Sequence, residues 1–273
     1  MASGCCFKGV AHDGTPQGDV KVICGLNTYC TDGPDVSATS PVIVIIPDAF
    51  GSTFVNSKLL ADSFASAGYR VYLPDFMDGN PCSSAAMDSM YIALSPKTGL
   101  LDKAGAYARA ARHFGPFMFS NRNALALPRI ETFFNHLRVE VGPDIKIGTA
   151  GYCWGGQHVF KLAGGLGAPT GQKPLVQCMF TAHPSNFSIP VDVENVKIPV
   201  SVAIGDKDFA LAPKAQKQVM AIMDKSGIDH EFRVYPGATH GFAVRGNPNV
   251  PEEEEYQRQA RDQAVAWFDK YLK

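Results

Sequence analysis

A chain of 273 residues, 45% hydrophobic and 19% charged, is long enough to bury a sizeable core and can still fold as one domain. Its 25 basic and 26 acidic residues leave a formal charge of −1. That provides no broad positive field for a phosphate backbone or an anionic bilayer, so neither nucleic acid nor a membrane is expected as a partner. The opening residues lack the apolar stretch of a secretory signal and no 18-residue apolar span occurs, which predicts a cytoplasmic location.

Seven cysteines (Cys5, Cys6, Cys24, Cys30, Cys82, Cys153, Cys178) are scattered without Cys-x-x-Cys spacing, as free thiols of a reducing compartment would be. Cys5-Cys6 beside His12 is a poor metal site, because adjacent soft ligands rarely converge by themselves. No metal is expected.

Apolar runs alternate along the chain with stretches of helical period, the pattern of an α/β fold with a mostly parallel sheet between helices. Partial alternation from Val20 to Tyr29 predicts antiparallel entry strands, and Pro41 to Pro47 a strand buried on both faces. Ser57 to Ala67 reads as a helix that ends at Gly68, which accepts the left-handed conformation, and Tyr69 to Leu73 as the next strand. Residues 75–126 look irregular, a lid-like insertion of short helices within a single 1–273 domain. Pro128 to Val141 is predicted as a helix begun by its proline, and Asp144 to Thr149 as a strand. Then come a helix from Gln157 to about Gly164, strands Val176 to Thr181 and Val200 to Ile204, a helix Pro213 to Ser226, and a strand His230 to Tyr235. The chain closes with a helix Pro251 to Leu272, whose glutamates complement the positive end of its dipole.

Gly151-Tyr-Cys153-Trp-Gly155 lies where a strand turns into a helix and matches the nucleophile elbow Gly-x-Ser-x-Gly with sulfur in place of oxygen. The tight turn strains the nucleophile's backbone, so its neighbours must be nearly free of side chains, and the helix N-terminus favours a thiolate. A cysteine nucleophile needs a base, and the base needs an orienting acid. Asp208, three residues past Gly205, is the expected acid, with Asp206 as the reserve. His240, in the loop after the last strand, is the expected base, in the chain order of this kind of site. His183 also follows a strand and is a substrate contact or a rival base. The remaining histidines read as surface or core residues.

Acyl transfer also needs donors for the developing oxyanion. These are expected from the backbone N–H of Trp154 and from an N–H just past Pro47, at Ala49 or Phe50. Asp48 opens that loop as an Asx turn or approaches the thiol.

Together Gly-Tyr-Cys-Trp-Gly-Gly, Gly-Asp-Lys-Asp, Thr-His-Gly-Phe and Pro-Asp-Ala-Phe-Gly resemble the dienelactone hydrolase (carboxymethylenebutenolidase) family from about residue 20 onward. The Cys-Cys-Phe-Lys-Gly opening is similar to its fungal branch. The resemblance implies an α/β-hydrolase fold with helices on both faces of the sheet, a Cys153, Asp208, His240 triad, and no metal or organic cofactor. A glutamate in that family engages the nucleophile at rest; the matching position here is Asp48, one methylene shorter. Bacterial members bind a substrate carboxylate with two arginines. Arg245 is one counterpart, while Arg109, Arg112 and Arg122 are the candidates for a second.

The function expected is hydrolysis of a small ester or lactone by a monomer or homodimer, with Asp48, Phe50, His183 and Arg245 contacting substrate. The rivals are a lyase, cyclase or isomerase acting on a polyketide-like molecule, and a non-catalytic small-ligand binder.

Overall fold

The computed structural model describes residues 9–94, 98–169, 171–172 and 174–273. Cys5 and Cys6, two of the three residues of the metal site considered above, lie outside the described residues.

An eight-stranded sheet forms the centre, in the order β1-β2-β4-β3-β5-β6-β7-β8. Its strands are β1 (Asp19–Ile23), β2 (Leu26–Asp32), β3 (Val42–Ile46), β4 (Arg70–Pro74), β5 (Ile147–Tyr152), β6 (Cys178–Ala182), β7 (Val200–Gly205) and β8 (His230–Tyr235). β1 and β2 enter antiparallel, and every pairing from β4 to β8 is parallel. The expected α/β architecture with a mostly parallel sheet is the one found.

Why β3 lies at the centre follows from its composition. All five of its β-branched residues are buried. Because successive side chains point to opposite faces, Val42, Val44 and Ile46 join one core and Ile43 and Ile45 the other. Each such side chain contributes roughly 1.5–3 kcal/mol by leaving water. The first core is closed by α4 (Asn123–Val141), α5 (Trp154–Ala163) and α7 (Pro213–Ser226), and the second by α1 (Val55–Ser66) and α9 (Pro251–Leu272). Gly68 takes φ +93 after α1, as the left-handed terminus requires.

The stretch 75–126 departs from expectation, because it is largely helical. It holds α2 (Ala85–Leu94) and α3 (Leu100–Ser120), a helix of 21 residues with Pro116 inside it. Ala106, Ala110 and Phe117 are buried on one face of α3, and that burial offsets the backbone bond that Pro116 removes. Pro128 likewise does not begin α4: the helix starts at Asn123 and carries the proline inside. Ile130, Phe133, Phe134 and Leu137 of α4 are buried, and their packing holds the helix through the defect.

Two short helices complete the fold, α6 (Val191–Glu194) and α8 (Phe242–Arg245). No helix among the described residues is long and apolar enough to cross a membrane.

Candidate active site

Cys153 caps the N-terminus of α5 directly after β5, with φ 50° and ψ −110°. A non-glycine residue in that region is strained, and packing around it enforces the turn. A Cβ at Gly155 would lie 2.0 Å from the Ile46 carbonyl oxygen, one at Gly151 2.7 Å from the Gly155 oxygen, and one at Gly156 2.5 Å from Pro184. The glycines therefore let α5 press against β3 and β6 and lift the sulfur clear of the sheet edge.

Asp208 and His240 come from the loops after β7 and β8. His240 Nδ1 lies 3.0 Å from both carboxylate oxygens of Asp208, and both side chains are buried. Asp208 is itself held by N–H donation from Ala210 at 2.8 Å and Leu211 at 3.4 Å. The reserve acid, Asp206, accepts the Gly237 N–H at 2.7 Å, while the Lys207 N–H reaches the Ala238 oxygen at 3.2 Å. These bonds tie the two loops together and hold Asp208 against the imidazole. Gly205 permits the approach, since a Cβ there would sit 2.1 Å from the Ala238 oxygen.

Electrostatics join His240 to the thiol. Burial alone would raise the Cys153 pKa, but the facing His240, through its charge and a hydrogen bond, and then Arg245, bring it below the ordinary 9.0. For His240 burial favours the neutral ring, and the opposing pull of Cys153 and Asp208 raises it to about 10 from 6.5. Both directions describe a thiolate beside an imidazolium, oriented by a carboxylate.

The sulfur opens into a cavity of about 250 Å³ lined by Ala49, Phe50, Phe114, Phe117, Met118, Cys153, Trp154, Ser185, Asn186, Phe209, Ala210, His240 and Arg245. The Phe50 N–H donates to Asp48 Oδ1 at 3.0 Å, closing the anticipated Asx turn. That bond occupies the Phe50 N–H, one of the two candidate donors in that loop; the other candidate, Ala49, is among the residues that line the cavity. Trp154, first residue of α5, has no carbonyl four residues earlier within the helix to receive its N–H.

A model of the dienelactone hydrolase family matches residues 26–272. The chain belongs to that family. Hydrolase tropI of Talaromyces stipitatus is 28% identical over 276 residues, covering 100% of this chain and 97% of that protein. The human carboxymethylenebutenolidase homolog is 25% identical, covering 90% and 88%. The dienelactone hydrolase structure from Anabaena variabilis has a TM-score of 0.60 at 16% identity, over 95% of this chain and 100% of that one, which shows the shared α/β-hydrolase fold. As a member of the dienelactone hydrolase family, the chain is a carboxylic ester hydrolase.

Two of the expected substrate contacts, His183 and Asp48, do not line this cavity. His183 is buried, does not line the cavity, and packs behind His240 with ring centroids 5.1 Å apart. Burial, then the charges of His240 and Arg245, hold its pKa well below 6.5, so it is neutral. Asp48 is also absent from the lining, because it is buried in an ion pair with Arg245. Phe50 and Arg245 do line the cavity, with the guanidinium 5.1 Å from the ring centre of Phe50. Arg109, Arg112 and Arg122 do not.

Several wall residues went unrecognised in the sequence. Ser185 donates its N–H to the Cys153 carbonyl at 3.0 Å and places its hydroxyl 3.8 Å from the sulfur. It stands two residues after His183, just past the end of β6, so the same strand end that places His183 could have pointed to it. Phe209, adjacent to Asp208, lies 4.8 Å from the His240 ring.

Proposed function

We propose that the protein hydrolyses a small ester or lactone with Cys153 as nucleophile, His240 as base and acid, and Asp208 as orienting group. The observation that carries this reading is the 3.0 Å contact of Asp208 with His240 Nδ1, on an imidazole coupled to a thiol of lowered pKa at the cavity wall.

In this mechanism His240 holds the thiol proton and the thiolate attacks the carbonyl carbon. The Ala49 and Trp154 amides receive the oxyanion. Collapse breaks the bond to the leaving oxygen, which takes the proton from His240; in a lactone that oxygen stays tethered as a hydroxyl. Water, deprotonated by His240, then cleaves the thioester, releasing the acid and regenerating the sulfur. A thiolate leaves a tetrahedral intermediate more readily than an amide nitrogen does, so esters, enol lactones and thioesters are favoured over peptides.

Rapid mixing with p-nitrophenyl acetate tests the reading. A burst of about one nitrophenolate per protein, with an acetyl adduct on Cys153, is expected, and Cys153→Ser should lose it. Absence of the burst together with failure of iodoacetamide to label Cys153 overturns nucleophilic catalysis.

A further inference from the structure

We infer that the cavity selects an uncharged aromatic ester or lactone, by its ring-built walls and by the net negative charge of the ionisable groups around it. The inference rests on the hydrolase reading above.

Five rings carried by four separate segments line the cavity: Phe50 after β3, Phe114 and Phe117 on α3, Trp154 at the start of α5, and Phe209 after β7. Phe114, Phe117 and Met118 fall at helical spacing on one face of α3, so this helix presents an apolar stripe to the substrate. Phe117 and Trp154 meet at 6.2 Å and 69°, and Phe209 meets His240 at 4.8 Å and 57°. Walls made of ring faces and edges favour a flat aromatic guest beyond the area it buries, because face and edge carry opposite partial charge. A saturated ring of equal size gains only the area. At about 250 Å³ the space falls below the range of drug-sized sites, roughly 300–1,000 Å³, and suits a molecule of one or two rings.

Charge makes the second discrimination. Apart from His240, Arg245 is the only basic side chain lining the cavity among the described residues, and Asp48 already holds it. Asp48 and Asp208 set against Arg245 leave one negative charge. The Cys153–His240 pair adds none, whether the proton sits on sulfur or on nitrogen. A substrate carboxylate would meet that excess and would have to displace Asp48 from the guanidinium.

Three lactones separate these effects: isochroman-3-one, its ring-saturated analogue, and isochroman-3-one bearing a carboxylate on the benzene ring. In all three the leaving oxygen is an alkyl-type alcohol, so intrinsic reactivity is comparable. The neutral aromatic lactone should exceed the saturated one by about threefold or more in kcat/KM, and the carboxylate by about tenfold or more. Asp48→Asn, which frees the Arg245 charge, should improve the carboxylate lactone relative to the neutral one by about tenfold. Phe117→Leu should narrow the aromatic-to-saturated ratio.

Protection of Cys153 from iodoacetamide ranks the same three ligands without turnover. If none is hydrolysed but protection keeps the order, the hydrolase reading fails and the selectivity stands. If the carboxylate lactone equals or surpasses the neutral one in both assays, or the saturated ring matches the aromatic one, the inference is overturned.

Discussion

Arg245 lies over Phe50 and pairs with Asp48 where neither charge reaches solvent, their side chains being 3% and 0% exposed. Arg245 also lines a second cavity of about 340 Å³, beside Val10 and Met87. Removing one partner of a buried pair strands the other charge. Asp48→Ala should therefore lower the unfolding free energy by about 3–5 kcal/mol in urea titrations, with much of the loss recovered in the Asp48→Ala, Arg245→Met double variant. A loss under about 1 kcal/mol in the single variant would mean that Arg245 finds water or another partner.

The coupling of Cys153 and His240 predicts a pH signature. The charged form of the thiol is the favoured one, so its depressed pKa keeps thiolate present as pH falls below 9.0, where an ordinary thiol has protonated. The rate of iodoacetamide alkylation against pH should show a midpoint below 9.0. In His240→Gln the largest lowering influence is gone while burial still raises the pKa, so the midpoint should move above 9.0. An unshifted midpoint in the variant would separate the imidazole from the sulfur.

Much of this arrangement is legible in the sequence, for physical reasons. β3 is a run of β-branched residues that only a strand covered on both faces can bury, and the spacing Gly151-x-Cys153-x-Gly155 answers the close approach of α5 to Ile46 of β3 at Gly155 and of Val159, on α5, to Gly151 of β5. The loops of Asp208 and His240 follow clear strands. The cavity wall was not legible, because α3 carries Gly105, Gly115 and Pro116, all poor helix formers, and is held by tertiary burial of Ala106, Ala110 and Phe117. Position relative to a strand end also failed to separate His183 from His240. Both follow strands, but His183 at φ 40° turns back beneath the other ring, and local sequence does not report that rotation.

Asp206 and Asp208 are two residues apart, and the structure gives them different work. Asp208→Asn should lower kcat for an activated ester by about 10²–10⁴-fold, since the amide cannot favour the imidazolium as the carboxylate does. Asp206→Asn keeps an oxygen for the Gly237 N–H and should change stability by no more than about 0.5 kcal/mol, with kcat close to that of the parent enzyme. Steady-state kinetics on the pair decide the assignment: a larger loss at Asp206 would move the orienting role there.

Gly155 lies in the first turn of α5 and Gly164 caps its C-terminus, and they should respond unequally to alanine. At Gly155 the new Cβ would meet backbone, 2.0 Å from the Ile46 oxygen and 2.9 Å from the Pro47 oxygen, so neither a side-chain rotation nor a small shift relieves it. The helix would have to move away from β3, carrying the sulfur and the Trp154 amide with it. Gly155→Ala should cost more than about 3 kcal/mol of stability and, where folded protein is recovered, most of the activity. At Gly164 the backbone has φ −77° and the nearest atoms to a Cβ are 3.4 Å away. Gly164→Ala should leave stability within about 1 kcal/mol of the parent. Thermal melts and p-nitrophenyl acetate turnover on the two variants measure both effects, and a tolerated alanine at Gly155 would contradict the close contact between α5 and β3 on which the position of Cys153 depends.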